Sequence, residues 1–391
     1  PPSPPLAPPP VAPPPTFPPA CVWSDCRVEF LNLAETNSNL KGFRGGYVTD
    51  AHAYYVPHYN GAYNGYAARV SLSDFSSSGV EYLNLAETNS NLKGFNGGFV
   101  TDTHAYYVPQ YNDDGYHGYA VRVSLSDFSS SGVEYLNLAE TNSNLRGFRG
   151  GGFVTDAHAY YVPGDNGSPH GYAVRVSLSD FSSSGVEYLN LADTNSNLKG
   201  FDGGFVTDAH AYYVPFHNGS PHGYAVRVSL SDFSSSGVEY LNLAETNSNL
   251  KGFIGGFATD AHAYYVPHNN DGGRSGYAVR VSLSDFSSSG VEYLNLADTN
   301  SNLKGFFGGF VTATHAYYVP YLNSAYNGYA ARVSLSDFSS SGVEYLNLAD
   351  SNSNLKGFIG GFATDAHAYY VPSYNADGRS GYAARVSLSD F

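Results

Sequence analysis

The chain has 391 residues, 42% of them hydrophobic and 15% aromatic, and a formal net charge of −15 at pH 7. This composition provides ample apolar material for a core and excludes a disordered protein over most of the length. The negative charge argues against nucleic acid and anionic membrane surfaces as partners. No apolar stretch is long enough to span a bilayer, so we expect no membrane insertion.

The first twenty residues, PPSPPLAPPPVAPPPTFPPA, consist largely of proline. They predict a polyproline II arm, which is stiff and has no internal hydrogen bonds. At about 3.1 Å per residue the arm would span roughly 60 Å, well beyond the ~20 Å radius of gyration of a domain of this size. It can therefore reach a neighbouring subunit, although a simple spacer is the alternative. Ser3 and Thr16 are possible O-glycosylation sites.

The only two cysteines, Cys21 and Cys26, flank the only tryptophan, Trp23. A metal site would need further ligands nearby and the sequence offers none, so we predict a disulfide that closes a small loop. A disulfide implies an oxidising compartment. Residues 1–27 are thus predicted to be an extended arm with a small cysteine loop. Because the chain starts without Met and without a visible signal peptide, we expect a processed chain or a fragment.

From residue 28 onward the chain is a tandem repeat. Its units begin at Val28, Val80, Val133, Val186, Val238, Val291 and Val343. A period near 50 residues is typical of propellers rather than of helical solenoids. The second unit contains four segments with strand character, at residues 98–102, 104–109, 119–125 and 133–138. Short turns rich in Gly, Asn, Asp and Ser join them, which predicts a four-stranded antiparallel blade.

The two ends of the repeat region are out of phase with the blades. The chain enters with an outer strand at residues 28–33 and leaves after a third strand at residues 382–388. The last blade therefore lacks an outer strand, and the first segment can supply it, which closes the ring and removes its exposed edges. We predict an all-β fold, a seven-bladed β-propeller over residues 28–391 that is closed by the N-terminal strand.

One histidine recurs in every unit, and an aspartate lies two residues before it in six of the seven units. The histidines are His52, His104, His158, His210, His262, His315 and His367. Asp–His pairs can act as general bases, but an active site normally breaks the symmetry of a repeat. We interpret the histidines as structural members of a hydrogen-bond network, with a central metal or ligand ring as the less favoured alternative. The third-strand arginine, such as Arg122, recurs with the aspartate of the next turn, such as Asp127, and predicts an ion pair.

Function is expected where the copies differ, which is in the loop after each Tyr-Tyr-Val-Pro and at the residue before each glycine pair. At the second position three consecutive blades carry Ile254, Phe307 and Ile359. If exposed, these side chains form an apolar assembly patch; if their own blades bury them, they belong to the core. Two variable loops contain Asn-Gly-Ser at Asn166 and Asn218, which matches the N-glycosylation pattern, although the proline that follows weakens such acceptors.

No catalytic, metal-binding or cofactor-binding motif is recognisable. The Asp-rich loops lack the spacing of a calcium-binding loop, and there is no asymmetric acid pair of the kind a glycosidase needs. We therefore predict that the protein is not an enzyme and has no cofactor.

The repeat unit resembles a tandem repeat of secreted proteins from algae, oomycetes and other protists. The matching motifs are Gly97-Gly98-Phe99, Tyr107-Val108-Pro109, Ala120-Val121-Arg122-Val123 and Ser131-Gly132-Val133, with copies in every unit. The resemblance covers residues 28–391 and implies a propeller in an extracellular, often cell-surface, setting. The arm is similar to the hydroxyproline-rich, O-glycosylated segments of algal wall and flagellar-hair glycoproteins.

These observations favour a secreted, glycosylated structural subunit that assembles with copies of itself. In this hypothesis the arm of one subunit docks on the next, and the head-to-tail contact propagates into a filament or surface layer. The alternative is a carbohydrate- or protein-binding propeller, similar to a lectin, that uses its Tyr- and Asn-rich loops.

Overall fold

The computed structural model describes residues 28–391. The Pro-rich arm, Ser3, Thr16, Cys21 and Cys26 lie outside the described residues. The described part of the chain forms seven four-stranded antiparallel sheets arranged as the blades of a β-propeller. This confirms the predicted fold class and the predicted number of blades.

In each blade the strands run in order from the central axis to the circumference. The inner strands are Gly46–Val48, Phe95–Val100, Phe148–Val154, Phe201–Val206, Phe253–Ala258, Gly309–Val311 and Phe358–Ala363. The second strands are His52–Tyr55, His104–Pro109, His158–Pro163, His210–Pro215, His262–Pro267, His315–Tyr318 and His367–Pro372. The third strands are Tyr66–Ser71, Tyr119–Ser124, Tyr172–Ser177, Tyr224–Ser229, Tyr277–Ser282, Tyr329–Ser334 and Tyr382–Ser387. The outer strands are Val80–Asn84, Val133–Asn137, Val186–Asn190, Val238–Asn242, Val291–Asn295, Val343–Asn347 and Val28–Asn32.

Short helical turns and small hairpins complete the blades. Three-residue 3₁₀ turns precede six outer strands, at Ser77–Gly79, Ser130–Gly132, Ser183–Gly185, Ser235–Gly237, Ser288–Gly290 and Ser340–Gly342. A second set follows each outer strand, at Leu33–Glu35, Leu85–Glu87, Leu138–Glu140, Leu191–Asp193, Leu243–Glu245, Leu296–Asp298 and Leu348–Asp350. Three variable loops form two-stranded hairpins that the sequence did not predict, pairing Tyr111–Asn112 with Gly115–Tyr116, Asn269–Asn270 with Gly273–Arg274, and Tyr374–Asn375 with Gly378–Arg379.

The N-terminal strand closes the ring as predicted. Val28–Asn32 pairs antiparallel with Tyr382–Ser387, so that Val28 lies opposite Val386 and Asn32 opposite Tyr382. The closure is also a side-chain contact, because Arg385 Nη2 donates to Glu29 Oε2 at 2.7 Å. The last blade therefore has the same four strands as the other six.

The core lies between neighbouring blades. The second strand has the burial pattern of a segment covered on both faces, and Tyr106 and Tyr107 are both fully buried. Tyr107 packs towards the blade before it, against Tyr54, while Tyr106 packs towards the blade after it, against Tyr161. A strand buried on both faces needs apolar side chains throughout, which explains why Ala-Tyr-Tyr-Val-Pro does not alternate.

The propeller has two different faces because its strands alternate in direction. The variable loops and the connections to the next blade lie at one end, which we call the variable face. The Thr-Asp turns after the inner strands and the Ser-rich turns after the third strands lie at the other end, the turn face. Third strands run towards the turn face, and Val28 pairs near the end of one of them. The chain that precedes Val28 therefore joins the ring at the turn face.

Candidate functional site

Inner strands begin at the variable face, so the residue before each glycine pair reaches the mouth of the central channel there. The structure thus brings one of the two variable positions of all seven units to one place. Blades one to four contribute polar side chains, Arg44, Asn96, Arg149 and Asp202, and blades five to seven contribute the apolar residues Ile254, Phe307 and Ile359. This mouth is where the sevenfold symmetry is broken.

Below the mouth the channel is lined by a ring of glycines. A Cβ atom added to Gly45 would lie 2.8 Å from Cα of Gly97, and one added to Gly360 would lie 3.1 Å from Cα of Gly45. Gly97 has φ 77° and its N–H donates to the carbonyl of Arg44 at 2.8 Å. A side chain at Gly45 would require the neighbouring inner strand to shift, and one at Gly360 would crowd it; both glycines also have a positive φ that disfavours other residues. The cavity left along the axis is small, about 140 Å³.

The prediction of an exposed assembly patch is wrong, because its three residues are buried. Ile254, Phe307 and Ile359 are 3%, 8% and 4% exposed, and they form one cluster at the channel mouth with Phe216 and Tyr321 against it. They are thus not available on the surface of this propeller. Their side chains face the axis, where they meet one another across blades, rather than the rim.

The polar half of the mouth is buried without full hydrogen bonding. Arg44 Nη2 lies 3.9 Å from Asp202 Oδ2, across the channel, and Asp202 is only 1% exposed. In residues 28–391 neither carboxylate oxygen of Asp202 has a hydrogen-bond partner, and neither does Nδ2 of Asn96. Burial raises the pKa of Asp202 even though Arg44 and Arg149 act in the opposite direction. Burial likewise lowers the pKa of Arg44. Burying this pair therefore carries a cost in desolvation.

Replacing this buried pair by isoleucine tests whether it serves stability. We expect the double variant Arg44→Ile/Asp202→Ile, which repeats the residue of blades five and seven, to be neutral or more stable by about 1–4 kcal/mol. Urea unfolding measures the change, and the single variant Asp202→Ile, which strands the arginine, is the control expected to be less stable. A double variant less stable than Asp202→Ile would mean that the pair holds the mouth together.

The variable loops after Tyr-Tyr-Val-Pro form a continuous aromatic surface around half of the variable face. We call it the tyrosine ladder, and its members in order are Tyr321, Tyr326, Tyr374, Arg379, Tyr59, Tyr63, Tyr111 and Tyr116. Ring centroids of neighbouring tyrosines lie 5.6 Å apart at Tyr321–Tyr326, 5.1 Å at Tyr326–Tyr374, 5.2 Å at Tyr59–Tyr63, 5.1 Å at Tyr63–Tyr111 and 4.7 Å at Tyr111–Tyr116.

An arginine joins the two parts of the ladder. The guanidinium carbon of Arg379 lies 3.6 Å from the ring centre of Tyr374 and 4.5 Å from that of Tyr59. Every tyrosine of the ladder is half-buried, so each keeps part of its surface open to solvent. The ladder ends beyond Tyr116, where the next loop carries Asp165. It therefore spans blades six, seven, one and two.

The repeated histidines begin the second strands, and the aspartates two residues earlier are not their partners. In the second blade the backbone N–H of His104 donates to Thr101 Oγ1 at 3.0 Å. Its ring atom Nε2 lies 3.8 Å from Glu134 Oε1 of the outer strand. Asp102 is exposed. Burial and the neighbouring Arg122 lower the pKa of His104. These contacts recur in other blades and explain why Ala313 can replace one aspartate.

The third-strand arginines also have a partner other than the predicted one. Arg122 Nη2 donates to Glu134 Oε2 at 2.8 Å, and its Nη1 donates to the carbonyl of Leu178 in the next blade at 3.2 Å. Its guanidinium carbon lies 4.6 Å from the ring centre of Phe181, also in the next blade. Asp127 instead accepts hydrogen bonds from Ser129 and Ser131 within its own turn. Each arginine therefore joins two blades through an aromatic ring rather than through an aspartate.

The asparagines of the two predicted glycosylation sites make a hydrogen bond to a backbone carbonyl that recurs in six of the seven variable loops. Asn218 Nδ2 donates to the carbonyl of Asn197 at 3.1 Å, and Asn166 Nδ2 to that of Asn144 at 3.3 Å. Asn112 makes the same contact with Asn91 in a loop that has no glycosylation pattern. The asparagine thus ties the loop to the connection that enters the blade, and attachment of a glycan at Asn166 or Asn218 stays a prediction.

A polar residue closes each variable loop by accepting a hydrogen bond from the tyrosine two positions later. His117 Nδ1 accepts from Tyr119 N–H at 3.3 Å, and Asn64 Oδ1 accepts from Tyr66 N–H at 3.1 Å in the equivalent place. His117 Nε2 then donates to the carbonyl of Lys93 at 2.9 Å. Because both nitrogens are engaged, the ring is held in its neutral form. Burial lowers the pKa of His117 to about 4.

Sequence reasoning found the variable loops but missed the ladder within them. The available signal was two loop positions, which carry tyrosine at six of eight places in blades six, seven, one and two, with Leu322 and Arg379 at the other two, and Asp, His or Pro in blades three and four. Reading these positions across units would have required knowing that loops of neighbouring blades touch. In the described residues no group of three His, Cys, Asp or Glu side chains is placed to hold a metal ion. No helix in this part of the chain is long and apolar enough to cross a membrane.

Comparisons with known proteins support the propeller. A family model of the DNA gyrase C-terminal domain, described as a β-propeller, matches residues 272–290, which lie within one blade. No curated protein matches the sequence significantly.

Among solved structures, the computationally designed Ika8 protein is similar with a TM-score of 0.52 and 6% identity, covering 92% of this chain and 99% of that one. BamB from Moraxella catarrhalis is similar with a TM-score of 0.48 and 10% identity, covering 88% of this chain and 85% of that one. A chain of a nidogen/laminin complex has a TM-score of 0.46 and 11% identity, covering 76% of this chain and 95% of that one. At such low identity, the likeness to the designed protein concerns the fold alone.

Proposed function

We propose that the protein is a structural subunit that assembles head-to-tail into an extracellular filament or surface layer. The observation that carries this proposal is the place of Val28 in the ring. The chain before Val28 joins the ring at the turn face, whereas the unequal loops and the tyrosine ladder lie at the variable face. An arm that leaves one face and docks on the opposite face of another copy makes a heterologous contact, which propagates.

Other features agree with a structural role without catalysis. The outer strands carry one aromatic side chain each at the circumference, such as Tyr82 at 46% exposure and Phe30 at 44%. Exposed aromatic residues favour contacts between proteins. In this proposal glycans at Asn166 and Asn218 cover blades three and four, away from the ladder. The repeated histidines stabilise the blades, and the subunit uses no cofactor.

Electron microscopy of the purified protein tests the assembly. We expect the full chain to form filaments or layers and a chain lacking residues 1–20 to remain dispersed, because the docking segment is gone. A chain whose first twenty residues are replaced by a Gly/Ser segment of equal length is the matched control and should also stay dispersed. Full-length protein that sediments as a monomer at every concentration would contradict the proposal.

A second candidate is a carbohydrate-binding propeller at the cell surface. The tyrosine ladder favours it, because aromatic rings next to a polar group such as the guanidinium of Arg379 suit a sugar chain. Binding of monomers to a glycan array, lost when Tyr111 or Tyr321 is changed, is the expected result for this function.

A further inference from the structure

Each tyrosine of the ladder is half-buried and keeps part of its side chain open to solvent on the variable face. We propose that the ladder is a docking surface for a polyproline II helix, and that its occupant is the segment Pro1–Ala20 of a second copy. This inference rests on the proposed head-to-tail assembly and adds the surface that receives the arm.

The chemistry of the ladder fits this occupant. Proline-rich segments dock on grooves lined by aromatic side chains, where the flat pyrrolidine rings pack against the aromatic faces. A polyproline II helix has no internal hydrogen bonds, so its carbonyls accept from tyrosine hydroxyls and from a guanidinium. Arg379, held between Tyr374 and Tyr59, places such a donor in the middle of the ladder.

The spacing of the ladder also fits. Where two tyrosines are direct neighbours, their ring centroids lie between 4.7 and 5.6 Å apart, and Arg379 lies between Tyr374 and Tyr59. One turn of a polyproline II helix advances about 9 Å, so each turn would meet roughly every second group. Residues 1–20 contain no charged side chain, and the protein as a whole carries −15. The arm therefore approaches an acidic protein without repulsion.

The asymmetry of the ladder explains why a propeller with seven similar blades would bind one arm. Blades three and four carry Asp165, Pro169, His217 and Pro221 at the two ladder positions, and these side chains offer no continuous aromatic surface. One ladder and one arm per subunit give a single contact to each neighbour. Such a contact extends in one direction, whereas seven equal sites would produce a branched aggregate.

The second copy, rather than the same chain, is favoured by the geometry of the ring. The chain joins blade seven at the turn face, on the outer strand, while the ladder lies on the opposite face. In a stack of propellers, the turn face of one copy lies against the variable face of the next. The arm then has only the gap between two subunits to cross.

The test uses a labelled synthetic peptide with the sequence of residues 1–20, titrated onto a chain that lacks them. That shorter chain keeps Val28–Phe391, which provides every strand of the seven blades. The ladder variant is Tyr111→Asn/Tyr374→Asn, because Asn269 occupies the equivalent place in a hairpin of the same type. The matched control is Tyr82→Asn/Tyr135→Asn, which removes two tyrosines from the outer strands. We expect the ladder variant to bind the peptide at least tenfold more weakly and the control to bind it as the parent does.

Each outcome is informative. Equal binding by the ladder variant, with an unchanged thermal melt, overturns the ladder as the docking surface, even if filaments still depend on the arm. Ladder-dependent peptide binding by a full chain that stays monomeric supports the docking surface and overturns the assembly. Ladder-dependent binding of the protein to glycans on an array, with no binding of the peptide, overturns the proposal in favour of a carbohydrate site. A Tyr63→Ala variant with a parental melt replaces the double variant if the latter does not fold.

Discussion

Deleting residues 28–33 is expected to lower the melting temperature of the propeller by roughly 10 °C or more. The deletion removes Val28, Leu31 and Leu33, which are 5%, 9% and 0% exposed. Each such side chain contributes about 1.5–3 kcal/mol when buried. The third strand Tyr382–Ser387 also loses its partner and becomes an exposed edge. Circular dichroism during heating measures the effect.

Two controls separate closure from the mere presence of the N-terminal segment. Removing residues 1–27 leaves the closing strand in place and should leave the melt unchanged. Within the strand, Leu33→Ala should cost about 2–5 kcal/mol because the side chain is fully buried. Phe30→Ala, at an exposed position, should cost less than about 1 kcal/mol. A melt of the 28–33 deletion that coincides with the parent would show that the ring does not depend on this strand.

The propeller is expected to lose stability steeply as the pH falls from 6.5 towards 4. The cause is a set of buried histidines at the loop-closing position, His117, His170 and His222, whose pKa burial lowers to about 4. Burial and Arg274 lower the pKa of His268, in another part of its loop, to about 3. An additional proton on His117 Nδ1 would face the N–H of Tyr119, which now donates to that nitrogen.

The direction of the change in stability with pH follows from which state, folded or unfolded, takes up protons at the higher pH. An unfolded chain has histidines with a pKa near 6.5, so it takes up protons at a higher pH than the folded propeller does. The stability is therefore complete above about pH 6.5 and is lost as the pH falls through the folded value. Each of the three loop-closing histidines accounts for about 3 kcal/mol at the acid limit, and together they give a slope of about 4 kcal/mol per pH unit near pH 5. Hydrogen bonds from serine hydroxyls lower the pKa of the turn aspartates, such as Asp127. These aspartates therefore affect the stability only at a pH below the range in which the histidines do.

The chain itself provides the variant that tests the histidines. Asn64 and Asn327 occupy the loop-closing position in blades one and six and accept the same hydrogen bond. His117→Asn, which repeats the Tyr-Asn-Gly of those blades, should keep the stability near pH 7.5 and reduce its loss at pH 5. Urea unfolding at several pH values gives both numbers. The repeated histidines also have a lowered pKa, so part of the slope remains; an acid limb identical to that of the parent would refute the assignment.

The architecture was predictable from the sequence because it depends on the length of the repeat and on where within a repeat the chain begins and ends. The repeat spacing, the strand pattern within one unit and the unmatched ends at Val28 and Phe391 together specify seven blades and their closure. The second strand His104–Pro109 was predicted to the residue. The inner strand begins at Phe95, three residues earlier than predicted, because the glycine pair sits within it at a shift of register. Glycines there were read as a strand boundary, whereas they allow the strands to meet at the axis.

The site was less predictable because it is made by contacts between blades. Phe181 supports Arg122, and Tyr63 meets Tyr111, although these pairs lie about one repeat apart in the chain. The apolar residues Ile254, Phe307 and Ile359 were recognised as exceptional, but only the position of the axis decides that they face inward. Comparison of the repeat units shows which residues vary. The arrangement of the blades around the axis decides which of these residues contact one another.

The closing strand has a consequence for how such a protein can change over generations. Its sequence Val-Glu-Phe-Leu-Asn differs from the six other outer strands, Val-Glu-Tyr-Leu-Asn, at one residue. Gain or loss of a whole unit by recombination between copies would leave intact both the closing strand Val28–Asn32 and the third strand with which it pairs. The closing strand therefore does not by itself tie the chain to seven units; the packing between neighbouring blades and the glycines at the axis set that number. Comparing unit numbers among alleles would show how strictly that central fit is enforced.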